Sequence, residues 1–282
     1  MPVAGKTGKA TDRSGECQVS QIGQIGQIGQ ISATLPRRPN RRITRVMLSV
    51  LYSAAGGLDV AARSQEVLAR NIANAGHQGY KRATLRFADE LRQAGGSAAL
   101  TAVEGIGFEQ GQLLRTDSPL DMALEGDGFF TLQDANGGFL YTRKGSFTAG
   151  TDGRIVTPSG FAVLGTSGPI LLPPGGAITV QKDGSIMANG ETIGRLRIAA
   201  FPDKSSLSRA GTSLFAETGS TSRAMPAPDC SVRQGFLENS NVNILTEMVR
   251  MIENARTFEA NQRAASAANT ALTQLNQPAA DS

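Results

Sequence analysis

The 282-residue chain has no tryptophan, three tyrosines, two cysteines and a single histidine. Each scarcity excludes something. With 5% aromatic residues there is little material for a bulky aromatic pocket or for the interleaved basic and aromatic residues of a nucleic-acid surface. Cys17 and Cys230 are too few and too far apart for a disulfide framework or a zinc site. His77 is the only histidine, so any serine or cysteine nucleophile would need it as base, and it stands in a turn-like stretch. No apolar run approaches the roughly eighteen residues that read as a membrane span, and no apolar h-region precedes a small-residue cleavage site, so neither membrane insertion nor a cleaved signal peptide is expected.

Charge of one sign is also scarce outside one region. Residues 1–46 hold eight basic and two acidic side chains, which leaves 20 basic and 22 acidic residues in 47–282. The net charge of +4 therefore belongs to the leader, and a slightly acidic body argues against a nucleic-acid partner. The leader contains the low-complexity repeat QIGQIGQIGQIS and reads as a disordered basic segment, with Met47 expected as the natural start.

What the chain has in quantity is glycine, 33 residues, and heptad spacing at both ends. Leu51, Ala54, Leu58, Ala61, Gln65, Leu68 and Ile72 advance by alternating threes and fours. A helix is expected to end near NAGHQGYKR, where Gly76 and Gly79 offer left-handed conformations. Ile244, Met248, Met251, Ala255, Phe258, Gln262, Ala265, Asn269 and Leu272 repeat the same spacing, with Asn243 as N-cap and Glu247 in the first turn. Between 104 and 240 that period gives way to Gly, Asp and Asn turns separating short β-prone runs, such as DANGGFLYTR and QKDGSIMANG.

The expected fold class is α+β: long terminal heptad helices pairing in a coiled-coil-like layer around a central β-rich domain of hairpins. The expected segments are a leader (1–46), an N-terminal axial helix and loop (47–82), a linker and β domain (83–240), a C-terminal axial helix (241–277) and a tail (278–282). Heptad helices at both ends fit either an ordinary intramolecular coiled coil or a pair that polymerises between subunits. No catalytic, cofactor or metal residues are expected: GIGFEQG misses the dinucleotide fingerprint, no Gly-Lys-Ser loop occurs, and Asp117, Asp121, Asp152 and Asp183 sit in ordinary turn contexts.

Four stretches together resemble the bacterial flagellar rod and hook protein family. They are ARNIANAGHQGYKR (69–82), LDMALEGDGFF (120–130), YTRKGSFTAGTDGRIVTPSGFAVLG (141–165) and VRQGFLENSNVNILTEMVRMIENARTFEANQR (232–263). The run GPILLPPGGAITVQKDGSI is most similar to a proximal rod subunit, with a distal rod or hook subunit as the alternative. The resemblance implies a structural, non-enzymatic subunit of the basal-body rod, located where the rod crosses the periplasm and exported by the flagellar type III apparatus without a cleaved signal. Its implied partners are copies of itself and other rod proteins. The assembly residues it points to are Leu51, Ala54, Leu58, Ala61, Leu68, Asn71, Ile72, Asn74, Gly79, Tyr80, Ile244, Met248, Met251, Ile252, Ala255, Phe258, Asn261 and Leu272. A glycan-acting or wall-binding β protein and a soluble coiled-coil adaptor are the competing classes.

Overall fold

A computed structural model describes residues 41–90, 99–134, 136–218 and 224–276. Most of the leader, and the tail from 277, lie outside the described residues. Helix α1 spans Arg41–Ala73 and helix α2 spans Ile244–Asn276. The chain is α+β, and all of the described strands lie between the two helices.

α1 begins six residues before Met47, where the periodicity placed its start. The segment RRITRV has neither glycine nor proline, so nothing in it interrupts the ladder of backbone hydrogen bonds once a helix follows. At the other end Gly79 has φ +67°, as expected, whereas Gly76 is not among the residues with positive φ. The helix is closed instead by Asn74, whose backbone and side-chain N–H groups both donate to Arg70 O.

The segment from 83, expected to open with a linker, begins with a two-stranded antiparallel ribbon. Ala83–Glu90 pairs with Ala99–Ile106 in a register running from Ala83 opposite Ile106 to Glu90 opposite Ala99. The residues of this stretch are mixed in preference, with alanine, leucine and glutamate beside phenylalanine and threonine, so pairing rather than propensity decides their conformation.

The middle of the chain is built from hairpins at the expected turns. Phe129–Gln133 pairs with Phe139–Thr142, and Ser185–Ala188 pairs with Glu191–Arg195 across the two-residue turn Asn189-Gly190. Both turn residues have positive φ, 54° and 88°, the requirement of a type I′ hairpin turn. A ten-stranded sheet and a three-stranded sheet supply most of the layers. One apolar cluster gathers Met122, Leu124, Phe130, Leu132, Ile155, Val163, Ile186 and Val232. A second joins Phe129, Tyr141, Phe201, Leu207 and Phe215, with ring pairs edge to face at 4.8 to 5.9 Å.

Among the described residues, contacts divide the chain into two compact units, 54–263 and the pair of segments 41–53 with 264–276. The larger unit holds the whole β region, the C-terminal part of α1 and the N-terminal part of α2. Among the described residues no helix is long and apolar enough to cross a membrane.

Candidate assembly site

Within the larger unit α1 and α2 run antiparallel and meet along a seam that is polar at regular intervals. The Asn254 side-chain amide donates to Ala61 O at 2.8 Å and to Gln65 Oε1 at 3.0 Å. One heptad earlier in α2, Glu247 Oε2 accepts from Asn71 Nδ2 at 3.0 Å. One heptad later, Asn261 lies against Gly57, where a Cβ would stand 2.7 Å from the Asn261 amide nitrogen. Hydrogen bonds at such spacing fix one register, because a slip would take the buried Asn71 amide and the half-buried Asn254 amide away from their partners.

Ala54, Ala61 and Leu68 are buried, and Leu58 and Ile72 are half-buried. In the smaller unit Leu51 and Leu272 are also half-buried. The α2 seam departs by one position in alternate turns. Met251 is half-buried on it, but Phe258 is exposed, and Glu247, Asn254 and Asn261 take the places expected for Met248, Ala255 and Gln262. The reason is chemical: polar side chains that bond α1 outcompete apolar ones for the inner face.

Displaced from that seam, an apolar stripe faces outward. Leu245 is 75% exposed, Met248 48%, Val249 56% and Ile252 57%. At about 100° per residue these four centre roughly opposite the polar seam. Ile244 is also exposed, at the margin of the stripe, as is Ala255.

Both helices are rooted in a buried polar junction. Asn71 is fully enclosed, and its amide treats Ala83 as a neighbouring strand would: Oδ1 accepts from Ala83 N at 2.8 Å and Nδ2 donates to Ala83 O at 2.9 Å. The Tyr80 hydroxyl donates to the same Oδ1 at 3.2 Å. Burial pushes the Tyr80 hydroxyl above its ordinary value, against the pull of Arg209 stacked 4.7 Å from its ring. Gly79 is required here, since a Cβ would stand 2.4 Å from Lys144 N. Its N–H donates to Glu238 O at 2.7 Å.

Beneath this loop lies an ionic cluster. Lys81 and Glu238 are both 0% exposed and Arg143 is 2% exposed. Lys81 Nζ donates to Glu238 Oε1 at 2.6 Å and to Glu109 O at 2.7 Å. Arg143 reaches Glu238 Oε2 at 3.3 Å and Gly126 O at 2.7 Å, with its guanidinium over the Phe129 ring. Burial lowers the Lys81 ammonium below its usual range, and Glu238 opposes that shift. Asn241 completes the junction, accepting from Arg82 N at 2.7 Å and donating to Gly107 O at 2.8 Å.

Asn243 caps α2 as expected, Oδ1 accepting from Thr246 N. Glu247, expected to serve the helix dipole, is also buried between Asn71, Arg82 and Arg250. Sequence reasoning missed Lys81, Arg143, Glu238 and Asn241. The only visible signal was a charge within the run GFLENSNVN, and nothing marked the partner of Glu238 as lying 157 residues away.

His77 is exposed, Cys230 is buried, and Asp117 is paired with Arg115 at the surface. Among the described residues no group of three His, Cys, Asp or Glu side chains could hold a metal ion. The buried polar contacts of the junction tie backbone segments together.

Comparison with known proteins identifies the family. Residues 233–277 match the flagellar basal body rod FlgEFG protein C-terminal family, and residues 123–188 match the flagellar hook protein FlgE/F/G D1 domain. The flagellar basal-body rod protein FlgG of Buchnera aphidicola subsp. Acyrthosiphon pisum is 32% identical, with 82% of this chain and 100% of that protein covered. FlgG of Borreliella burgdorferi is 30% identical over 77% of this chain and 94% of its own. The flagellar basal-body rod protein FlgF of Caulobacter vibrioides is 34% identical over 76% of this chain and 90% of its own. The matches define a class, the rod and hook proteins of the flagellum. The chain belongs to the flagellar basal-body rod protein family.

Proposed function

We propose that this chain is a structural, non-catalytic subunit of the basal-body rod, which polymerises through its terminal helices and carries torque by stiffness. The observation that carries the reading is the α2 stripe Leu245, Met248, Val249 and Ile252, exposed although the opposite face is fixed to α1. Fully burying side chains of this size yields about 1.5 to 3 kcal/mol each, so covering the stripe in a neighbouring subunit offsets much of the entropy lost on assembly.

Of the assembly residues named from sequence, Ile244, Met248, Ile252, Ala255 and Phe258 are the ones still available to a partner. Ala54, Ala61, Leu68, Asn71, Asn74, Gly79, Tyr80 and Asn261 act within the chain, shaping the helix pair that a partner meets. In the assembled rod the paired helices form a coiled-coil-like inner layer with the β region outside. Heterologous contacts of this kind propagate without closing.

The partners in this reading are copies of the chain and other rod proteins, met after export by the flagellar type III apparatus without a cleaved signal, where the rod crosses the periplasm. The axial position we assign is the proximal rod, with the distal rod as alternative. A photocrosslinker at Leu245 or Val249 tests the reading in assembled basal bodies. Crosslinks to rod subunits are expected, and a residue that crosslinks to nothing axial contradicts it. A cryo-EM map of the basal body reads the axial position.

A further inference from the structure

We infer that Glu238 is the positioning residue that makes closure of the N-terminal loop, and with it the register of the α1–α2 pair, conditional on arrival of the C-terminal strand. Glu238 belongs to the strand Phe236–Glu238, six residues before Ile244, where α2 begins. Through one residue it touches three separated segments: its backbone O takes Gly79 N and Oε1 takes Lys81 Nζ in the loop, Oε1 also takes Gly111 N, and Oε2 takes Arg143. Among the described residues it is the one carboxylate paired with both buried cations.

Until that strand is in place, Lys81 and Arg143 have no anion to enter the interior with, and an unpaired buried charge is strongly disfavoured. The loop 79–83 therefore stays open. Once it closes, Ala83 meets Asn71, and Asn71 meets Glu247 in the first turn of α2. The helix pair is thus set by a chain of contacts that starts at Glu238, and only a complete chain presents it. The device operates in the single chain and does not depend on which partner α2 later meets.

Hydrogen exchange on the purified full chain tests this. In Glu238→Gln, amides of 79–83 and 109–111 should exchange at least tenfold faster, while 129–133 in the central sheet stay within twofold of wild type. Adding Lys81→Met, which removes the stranded cation, should restore most of the protection at 79–83. A loss merely of packing would deepen with the second substitution. Unchanged exchange in Glu238→Gln, equal acceleration across the central sheet, or no recovery in the double variant would each overturn the inference. If Glu238→Gln is isolated only unfolded, recovery of a folded chain by Lys81→Met supports it and failure to recover contradicts it.

Discussion

The β region and the helix pair are held by opposite means. Met122, Leu124, Phe130, Leu132, Ile155, Val163 and Ile186 form a dry, side-chain-filled core in which each is essentially inaccessible. The seam of α1 and α2 in the same unit is joined through Ala, Gly and amides, with Asn254, Asn261 and Asn71 at the points of contact. Core burial of the first kind supplies most of the stability of a domain, whereas buried amide bonds supply about 1 kcal/mol each and mainly select one register. The β region therefore needs no partner, while the helix pair is specified in geometry and left short of burial, with its apolar residues turned outward.

The largest break in that contrast comes from Gly145, where an added Cβ would stand 1.5 Å from Met122 O, a backbone atom that cannot yield. Gly145→Ala should cost about 4 kcal/mol or more, read as a shift in the urea midpoint of the whole unit. Gly79→Val combines a positive φ with a Cβ 2.4 Å from Lys144 N, and should cost about 3 kcal/mol. Asn71→Ala should cost about 1 to 3 kcal/mol, because it strands Ala83 N–H and removes the donor from Glu247 Oε2. Its signature is regional: faster hydrogen exchange at 68–83 and in the first turn of α2, with the central sheet protected as before.

A smaller effect sharpens the picture of the core. Burial pushes the Cys230 thiol up to about 11. With the folded value raised above the unfolded one of about 8.5, burial of the neutral thiol stabilises fully below pH 8.5, and that contribution is lost as pH rises toward 11. Wild type should therefore lose stability between pH 8 and 10.5 more steeply than Cys230→Ala, and iodoacetamide should label the folded thiol slowly at pH 8.

Much of this was legible beforehand. Turn residues such as Asn189-Gly190 and the left-handed Gly79 announce themselves, because few residues tolerate those backbone angles. The α1 seam was readable because Ala54, Ala61 and Leu68 are both apolar and inward. The α2 seam was misphased because apolarity marks a face that can be buried, and here the chain turns Glu247, Asn254 and Asn261 toward α1 instead, burying the first and half-burying the other two. Met248 and Ile252 keep the apolar character expected of an interface but lie outside the chain's own seam. The Lys81–Glu238–Arg143 cluster was invisible for a different reason: a long-range ion pair leaves no period, and its residues look like surface charges until the fold encloses them.

The division of labour between core and helices meets its most direct test in the double variant Met248→Asp with Ile252→Asp. Both side chains are about half exposed in the single chain, so thermal melting of the purified variant should stay within about 0.5 kcal/mol of wild type. In a cell lacking the native copy the same variant should yield no rods, since two carboxylates would have to enter a contact that excludes water. Normal rods from the variant, or loss of the monomer's β signal on purification, would contradict the account.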